Sequence, residues 1–127
     1  VEFISQTVKN FDIQIISHKT NSTIHNTTLD MVKSAKLWLD RHEITNILPM
    51  QAIHFENTRR NKVLKIKKVK CDVFIDDLLD IFLHHNFPDK TQKILFDPFK
   101  FYRSNPNINS VSSWAQINNL IQNIKMD

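Results

Sequence analysis

The 127-residue chain contains no glycine, and this absence restricts how its turns can be built. Glycine adopts positive φ more easily than any other residue, so a chain without it must place other residues at such positions. We expect Asn and Asp there, because their short polar side chains tolerate the left-handed region. The same absence excludes the glycine-rich phosphate loops of P-loop and dinucleotide-binding proteins.

Short apolar strands alternate with helical segments along the chain. The patterns predict strands at 13–17, 52–55, 73–75 and 93–96, and helices at 2–10, from 28 to about 42, at 58–68, at 78–84 and from 112 or 113 onward. Strands that alternate with helices in this way form parallel sheets with helices on both faces. We therefore predict one domain, 1–127, of the α/β class, with a Rossmann-like three-layer α/β/α architecture and about four parallel strands.

Cysteine and hydropathy patterns limit the cellular setting. The single cysteine, Cys71, cannot form an internal disulfide, and its place before an apolar strand favours a packed thiol over a nucleophile. No apolar run approaches the roughly 20 residues that cross a bilayer, and no signal segment opens the chain. We expect a cytoplasmic protein with no membrane partner.

Much of the formal net charge of +4 comes from the predicted helix at 58–68 and the residues that follow it. Val63, Ile66 and Val69 recur there at a spacing of three, which is typical of an amphipathic helix with a solvated basic face. Nucleic-acid binding is the alternative interpretation, but no aromatic residues interleave these charges for stacking on bases. We therefore expect a solvated face and no nucleic-acid partner.

Two adjacent carboxylates, Asp76 and Asp77, follow the apolar strand at the point where it ends. Adjacent carboxylates repel each other, and Mg²⁺, which prefers hard oxygen ligands, offsets that repulsion. In open parallel sheets, ligands bind beyond the carboxyl ends of the strands. The pair is a candidate Mg²⁺ site, and a solvated turn is the alternative interpretation.

Several segments, in their order along the chain, resemble motifs of the haloacid dehalogenase-like superfamily of phosphohydrolases. Ile15–Ser17 resembles the family's second motif, Lys62 at the start of a helix resembles the third, and Phe74–Asp77 resembles the fourth. Phe55–Arg59 and Ile94–Pro98 are similar to segments of a small branch that lacks a cap domain. The resemblance covers nearly the whole chain, and the acidic motif is its most specific part.

The resemblance implies Mg²⁺-dependent hydrolysis of phosphate monoesters. Ser17 would hydrogen-bond a phosphoryl oxygen, Lys62 would neutralise charge on the phosphoryl group, and Asp76 with Asp77 would hold Mg²⁺. A hydroxyl donor, an ammonium group and a metal are the groups that phosphoryl transfer needs. The substrate would be a phosphorylated small molecule or a macromolecular phosphate ester that reaches an open site.

The family's first motif, a strand that ends in Asp-x-Asp, is missing from the sequence. It supplies the nucleophile and the general acid and base, and neither Asp12 nor Asp30 lies in an equivalent place. The resemblance places this strand at the centre of the sheet, between the strands that end in Ser17 and Asp76. We expect a truncated, fragmentary or degenerate chain that is inactive by itself. Without this strand, the strands that end in Ser17 and Asp76 would pair directly with each other, or the exposed sheet edges would join two copies of the chain in a homodimer.

A non-catalytic binding or regulatory module with a degenerate or receiver-like fold is the main alternative. Response-regulator receivers also combine a parallel sheet with clustered acids, but their acid pair follows the first strand and a Lys follows the last. Here the acids follow the third recognisable strand. His18 and Asp80 are weaker candidates for the same site. Asp97 with Pro98 is interpreted as a turn after its strand, with a place in the pocket as the alternative, and Trp38 and Trp114 are expected in the core.

Overall fold

The protein is a mixed α/β chain in which all described strand pairs are parallel. The structure, a computed structural model, describes residues 2–7, 11–18, 37–41 and 47–125. Its elements are α1 (Glu2–Thr7), β1 (Ile15–His18), a 3-10 turn (Met50–Ala52), β2 (Ile53–Glu56), α2 (Arg59–Lys68), β3 (Val73–Asp76), α3 (Leu79–Leu83), β4 (Gln92–Phe96), β5 (Asn109–Val111) and α4 (Trp114–Lys125), and residues 37–41 are also helical. The end of the predicted first helix and most of the predicted helix from residue 28 lie outside the described residues.

The described strands form two parallel sheets. β1 pairs with β2, with Ile15 opposite Ile53, and the second sheet has the order β3-β4-β5. The packing of the chain divides it into two compact units, an N-terminal unit (Val1–Lys65) and a C-terminal unit (Ile66–Asp127), and each contains one sheet. Instead of the expected single sheet of about four strands, the described residues form one sheet of two strands and one of three. Direct pairing of β1 with β3 is not among the strand pairs described, and a homodimer stays a prediction.

The core of the N-terminal unit forms around Leu39, Leu48 and Ile53, which are buried together. Trp38, which we expected in the core, is instead 53% exposed. One step along a helix rotates the side chain by about 100°, so with Leu39 facing the core its neighbour is turned aside. The prediction for Trp38 was therefore wrong.

The core of the C-terminal unit is built on β4, whose Ile94 and Leu95 are fully buried. Three phenylalanines pack beside them at ring-centroid distances of 5.5–6.3 Å, and they are Phe74, Phe82 and Phe87. Ile117 on α4 is also buried, whereas Trp114, expected in the core, is 51% exposed. Trp114 opens the helix and stacks on Phe96 at 5.3 Å, so it lies at the margin of the core.

The helix caps agree with the sequence predictions. The Thr58 hydroxyl accepts a hydrogen bond from the Asn61 amide at 3.0 Å, at the start of α2. At the start of α4 the Ser113 hydroxyl accepts one from the Gln116 amide at 3.2 Å. Both side chains satisfy an amide that the first helical turn leaves without a partner.

Lysine, rather than Asn or Asp, occupies the positive-φ positions of the described residues. These are Lys70, at φ 56°, and Lys100, at φ 54°. Lys70 follows α2, where the amide of Cys71 donates to the Ile66 carbonyl at 3.4 Å and the Lys70 amide to the Lys67 carbonyl at 3.2 Å. This is the Schellman pattern, and its hydrogen bonds offset a steric cost of about 1–2 kcal/mol at a residue with a β-carbon.

No helix within the described residues is long and apolar enough to cross a lipid bilayer.

Replacing Ile94 with Ala should lower the free energy of unfolding by roughly 2–5 kcal/mol, because a fully buried side chain on the central strand leaves a cavity. Urea unfolding followed by circular dichroism measures the change. The control Leu83→Ala removes an exposed side chain of the same unit and should change stability by less than about 0.5 kcal/mol. Equal effects of the two substitutions would contradict the described core.

Candidate functional site

The carboxyl edge of the β3-β4-β5 sheet carries the acidic residues that the sequence singled out. Asp76 is the last residue of β3 and lies opposite Leu95 in the parallel register. Asp77 therefore leaves the sheet beside the end of β4, where Asp97 follows the strand. These three acids lie at the edge where parallel sheets bind ligands.

Asp76 takes part in the turn that follows β3. It is half-buried, and its Oδ1 accepts a hydrogen bond from the Leu78 amide at 3.0 Å. Asp77 is exposed to solvent. The contact with Leu78 is an Asx turn, which is the geometry that the turn interpretation predicts and which also orients the Asp76 carboxylate.

The donor set at this edge fits Mg²⁺ only in part. Within the residues that the structure describes, no three His, Cys, Asp or Glu side chains are grouped closely enough to hold a metal ion. Asp76 and Asp77 are nevertheless hard oxygen donors, and Mg²⁺ usually binds one or two carboxylates while it keeps several waters and takes substrate phosphate oxygens. The pair could hold Mg²⁺ that water and substrate complete, but it is no closed metal cage.

Asp97 has a structural role that its sequence position only partly revealed. Its side chain is 8% exposed, and its two carboxylate oxygens each accept a backbone hydrogen bond at 2.9 Å, from the amides of Phe101 and Tyr102. Its own amide donates to the Val111 carbonyl at 2.8 Å. Asp97 therefore ties the loop after β4 to β5, in agreement with its interpretation as a turn residue.

The other predicted site residues lie in the N-terminal unit. Ser17 is the third of the four residues of β1 and is half-buried, opposite Phe55, so the strand extends one residue beyond its predicted end. Lys62 is half-buried in the first turn of α2, and its amide donates to the Thr58 carbonyl at 3.0 Å. The structure brings Asp76 and Asp77 to one sheet edge. The convergence of Ser17 and Lys62 on that edge stays a prediction.

Two residues of β2 make polar contacts that the sequence did not indicate. Glu56 Oε1 lies 4.0 Å from Lys65 Nζ, and His54 Nε2 lies 2.8 Å from the amide oxygen of Gln14. An amide oxygen only accepts, so the histidine donates from Nε2. Burial lowers the pKa of His54 below its ordinary 6.5, and the nearby Lys65 lowers it further, while Glu56 acts in the opposite direction.

Cys71 is partly buried, and burial, followed by the charge of Asp72, raises the pKa of its thiol. A raised pKa keeps the group protonated at neutral pH, whereas the thiolate is the nucleophilic form. Cys71 thus has the character of the packed thiol that the sequence predicted.

A surface cavity of about 460 Å³ lies in the C-terminal unit beside β5 and α4. Its lining is rich in side-chain amides, among them Asn105, Gln116 and Asn119, and includes none of the predicted site residues. The chain is rich in Asn as a whole, so this composition by itself does not indicate a ligand.

Comparisons with known proteins find no match for this chain among protein-family models, curated proteins or solved structures. The resemblance to the haloacid dehalogenase-like superfamily therefore stays a prediction from the residues quoted above.

Replacing Asp97 with Asn should destabilise the loop after β4. Asn keeps one acceptor oxygen but turns an NH₂ group towards the second amide, so one part-buried hydrogen bond to a charged acceptor is lost at a cost of about 1.5–3 kcal/mol. Hydrogen exchange at the amides of Phe101 and Tyr102 should accelerate, as NMR can measure. Asp89→Asn, at an exposed position of the same unit, is the matched control. Unchanged protection of both amides would show that the carboxylate does not hold the loop.

His54 should titrate below 6.5 in the folded protein, as followed by NMR of its ring protons. Because the unfolded chain then binds the proton first, this residue removes stability as the pH falls below about 6.5. Lys65→Gln should raise the midpoint only partly, since burial is the larger cause, and Lys93→Gln in the other unit should leave it unchanged. A midpoint at or above 6.5 in the unmodified chain is the contrary result.

Proposed function

We propose that this chain is a haloacid dehalogenase-like domain of a Mg²⁺-dependent phosphohydrolase that acts on phosphate monoesters. In this proposal the two sheets belong to a Rossmann-like three-layer fold. The 127 residues contain no Asp-x-Asp, so they do not hydrolyse phosphate esters by themselves.

The grouping of the strands carries the proposal. β1 pairs with β2, and β3 pairs with β4 and β5, but the described residues contain no pairing between the two groups. The resemblance places the Asp-x-Asp strand between the strand of Ser17 and the strand of Asp76. Without this strand, β1 and β3 would have no common neighbour to pair with, and two separate sheets in the described residues are in agreement with that expectation.

The residues present suit the proposed chemistry. Mg²⁺, when bound, neutralises charge on phosphoryl oxygens, and Asp76 with Asp77 would hold it at the carboxyl edge of β3. The Ser17 hydroxyl would donate a hydrogen bond to a phosphoryl oxygen. The Lys62 ammonium, a compact point charge, would stabilise the negative charge shared by the phosphoryl group and the nucleophile.

Restoring the missing strand tests the proposal. A strand that ends in Asp-x-Asp, grafted ahead of Val1, should give Mg²⁺-dependent phosphate release from an aryl phosphate. Asp76→Asn with Asp77→Asn in the graft should lower the rate by roughly 10²-fold or more, because the metal loses both of its ligands from this edge. A graft that ends in Asn-x-Asn is the matched control. A well-folded Asp-x-Asp graft without turnover would contradict the proposal.

A non-catalytic binding or regulatory module is the second candidate, favoured by the absence of a nucleophile motif and by the Asx turn at Asp76. A Mg²⁺ titration of the chain as it stands, followed by NMR, separates the two. Shifts at Asp76 and Asp77 that disappear in the double Asn variant support a phosphoryl-type site. Spectra that do not respond to Mg²⁺ support a scaffold.

A further inference from the structure

The loop after β4 exposes two phenylalanines almost completely. Phe99 is 91% exposed and Phe101 is 82% exposed, although Phe is among the residues that most often lie inside a protein. We call residues 98–103, with the sequence Pro-Phe-Lys-Phe-Tyr-Arg, the aromatic loop. A binding partner that covered both rings would bury this apolar surface.

Hydrogen bonds to Asp97 hold the backbone of the aromatic loop at residues 100–102. The buried Asp97 carboxylate accepts the amides of Phe101 and Tyr102, and the Lys100 amide donates to the Asp97 carbonyl at 3.2 Å. Tyr102, which is half-buried, packs edge-on against Phe101 at a centroid distance of 5.0 Å. A backbone that is fixed before binding loses less conformational entropy when a ligand covers the loop.

The charge of this region favours an anionic partner. Lys100 and Arg103 are exposed on the aromatic loop itself. From residue 98 to residue 126 the sequence contains no Asp or Glu, while it contains Lys100, Arg103 and Lys125. The loop itself therefore combines two open aromatic rings with two exposed cations and carries no acidic residue.

We propose that the aromatic loop binds single-stranded nucleic acid. Along the loop, one cation separates the two exposed rings and a second follows Tyr102, in the order Phe99, Lys100, Phe101, Tyr102 and Arg103. A single strand likewise presents flat bases beside phosphates. Bases stack on Phe99 and Phe101, and Lys100 and Arg103 contact the phosphates. This combination of stacking rings and cations is how proteins bind single strands without sequence preference.

An anionic membrane surface would fit the composition of the loop but not its surroundings. Asp77 and Asp80, both exposed, follow β3 at the same edge of the sheet. A flat bilayer that reached both phenylalanines would bring these carboxylates towards anionic headgroups, whereas a narrow single strand can follow the loop alone. The loop of a second copy of the chain would present the same two cations, so charge would not favour contact between two aromatic loops.

The proposal departs from the expectation that the protein has no nucleic-acid partner. That expectation concerned the basic helix α2, where no aromatic residues separate the charges. The aromatic loop contains the aromatic residues beside its charges that α2 lacks. Its binding is also independent of the phosphohydrolase proposal, because it requires neither Mg²⁺ nor a nucleophile.

Fluorescence anisotropy with short labelled oligo-dT and oligo-U tests the proposal on the chain as it stands, at low ionic strength. Binding of either strand is expected, and Phe99→Ala with Phe101→Ala should weaken it by about tenfold or more. Phe99→Tyr with Phe101→Tyr should retain affinity because the rings remain. Lys100→Gln with Arg103→Gln should reduce the slope of log affinity against log salt by about 1.4, from two lost phosphate contacts.

Leu83→Ala is the matched control, since it removes an exposed apolar side chain of the same unit outside the aromatic loop and should leave binding unchanged. Absence of binding by the unmodified chain, or equal affinity of the Phe-to-Ala double variant, overturns the proposal. Equal affinity for a duplex also overturns it, because paired bases cannot stack on the rings. If binding to vesicles of phosphatidylcholine and phosphatidylserine depends on both phenylalanines and oligonucleotide binding does not, the loop is assigned to membranes instead.

Discussion

The parallel pairing of β3 with β4 is the interaction on which the rest of the C-terminal unit depends. It buries Ile94 and Leu95 at the centre of the unit, and its register brings the ends of both strands to one edge. Asp76 and Asp97 reach that edge because the two strands run in the same direction. Adjacent side chains of a strand point to opposite faces, and Ile94 and Leu95 are both buried, so both faces of β4 belong to the core.

A chain without glycine must hold its turns by hydrogen bonds that offset steric cost. At Lys70 the helix-closing bonds do this, and at Lys100 the turn is held by the buried carboxylate of Asp97 and by its carbonyl. A buried carboxylate is costly unless its oxygens are satisfied, and two backbone amides satisfy this one. The same hydrogen bonds that replace glycine thus also hold the backbone that carries Phe101.

Two kinds of chemistry therefore lie at one edge of a small sheet. The acids after β3 suit a cation and a phosphate group, whereas the loop after β4 suits flat rings and phosphates that carry negative charge. Neighbouring parallel strands are only about 5 Å apart, so both sets of groups leave the sheet close together. The phosphohydrolase proposal and the nucleic-acid proposal each rest on their own residues.

Periodicity, caps and strand composition in the sequence were enough to predict the α/β class. They also predicted the ends of four of the five described strands to within two residues, and the starts of α2 and α4. These features depend only on residues that lie near each other along the chain, so a single sequence is enough to recognise them. Tertiary structure alone decided the rest. β5 has a single apolar residue, Val111, and exists because β4 pairs with it, while Trp38 and Trp114 are exposed because neighbouring residues fill the cores. The division of the strands into two sheets, and the rings left open beyond Asp97, likewise follow from which surfaces pack together, a property that no local pattern contains.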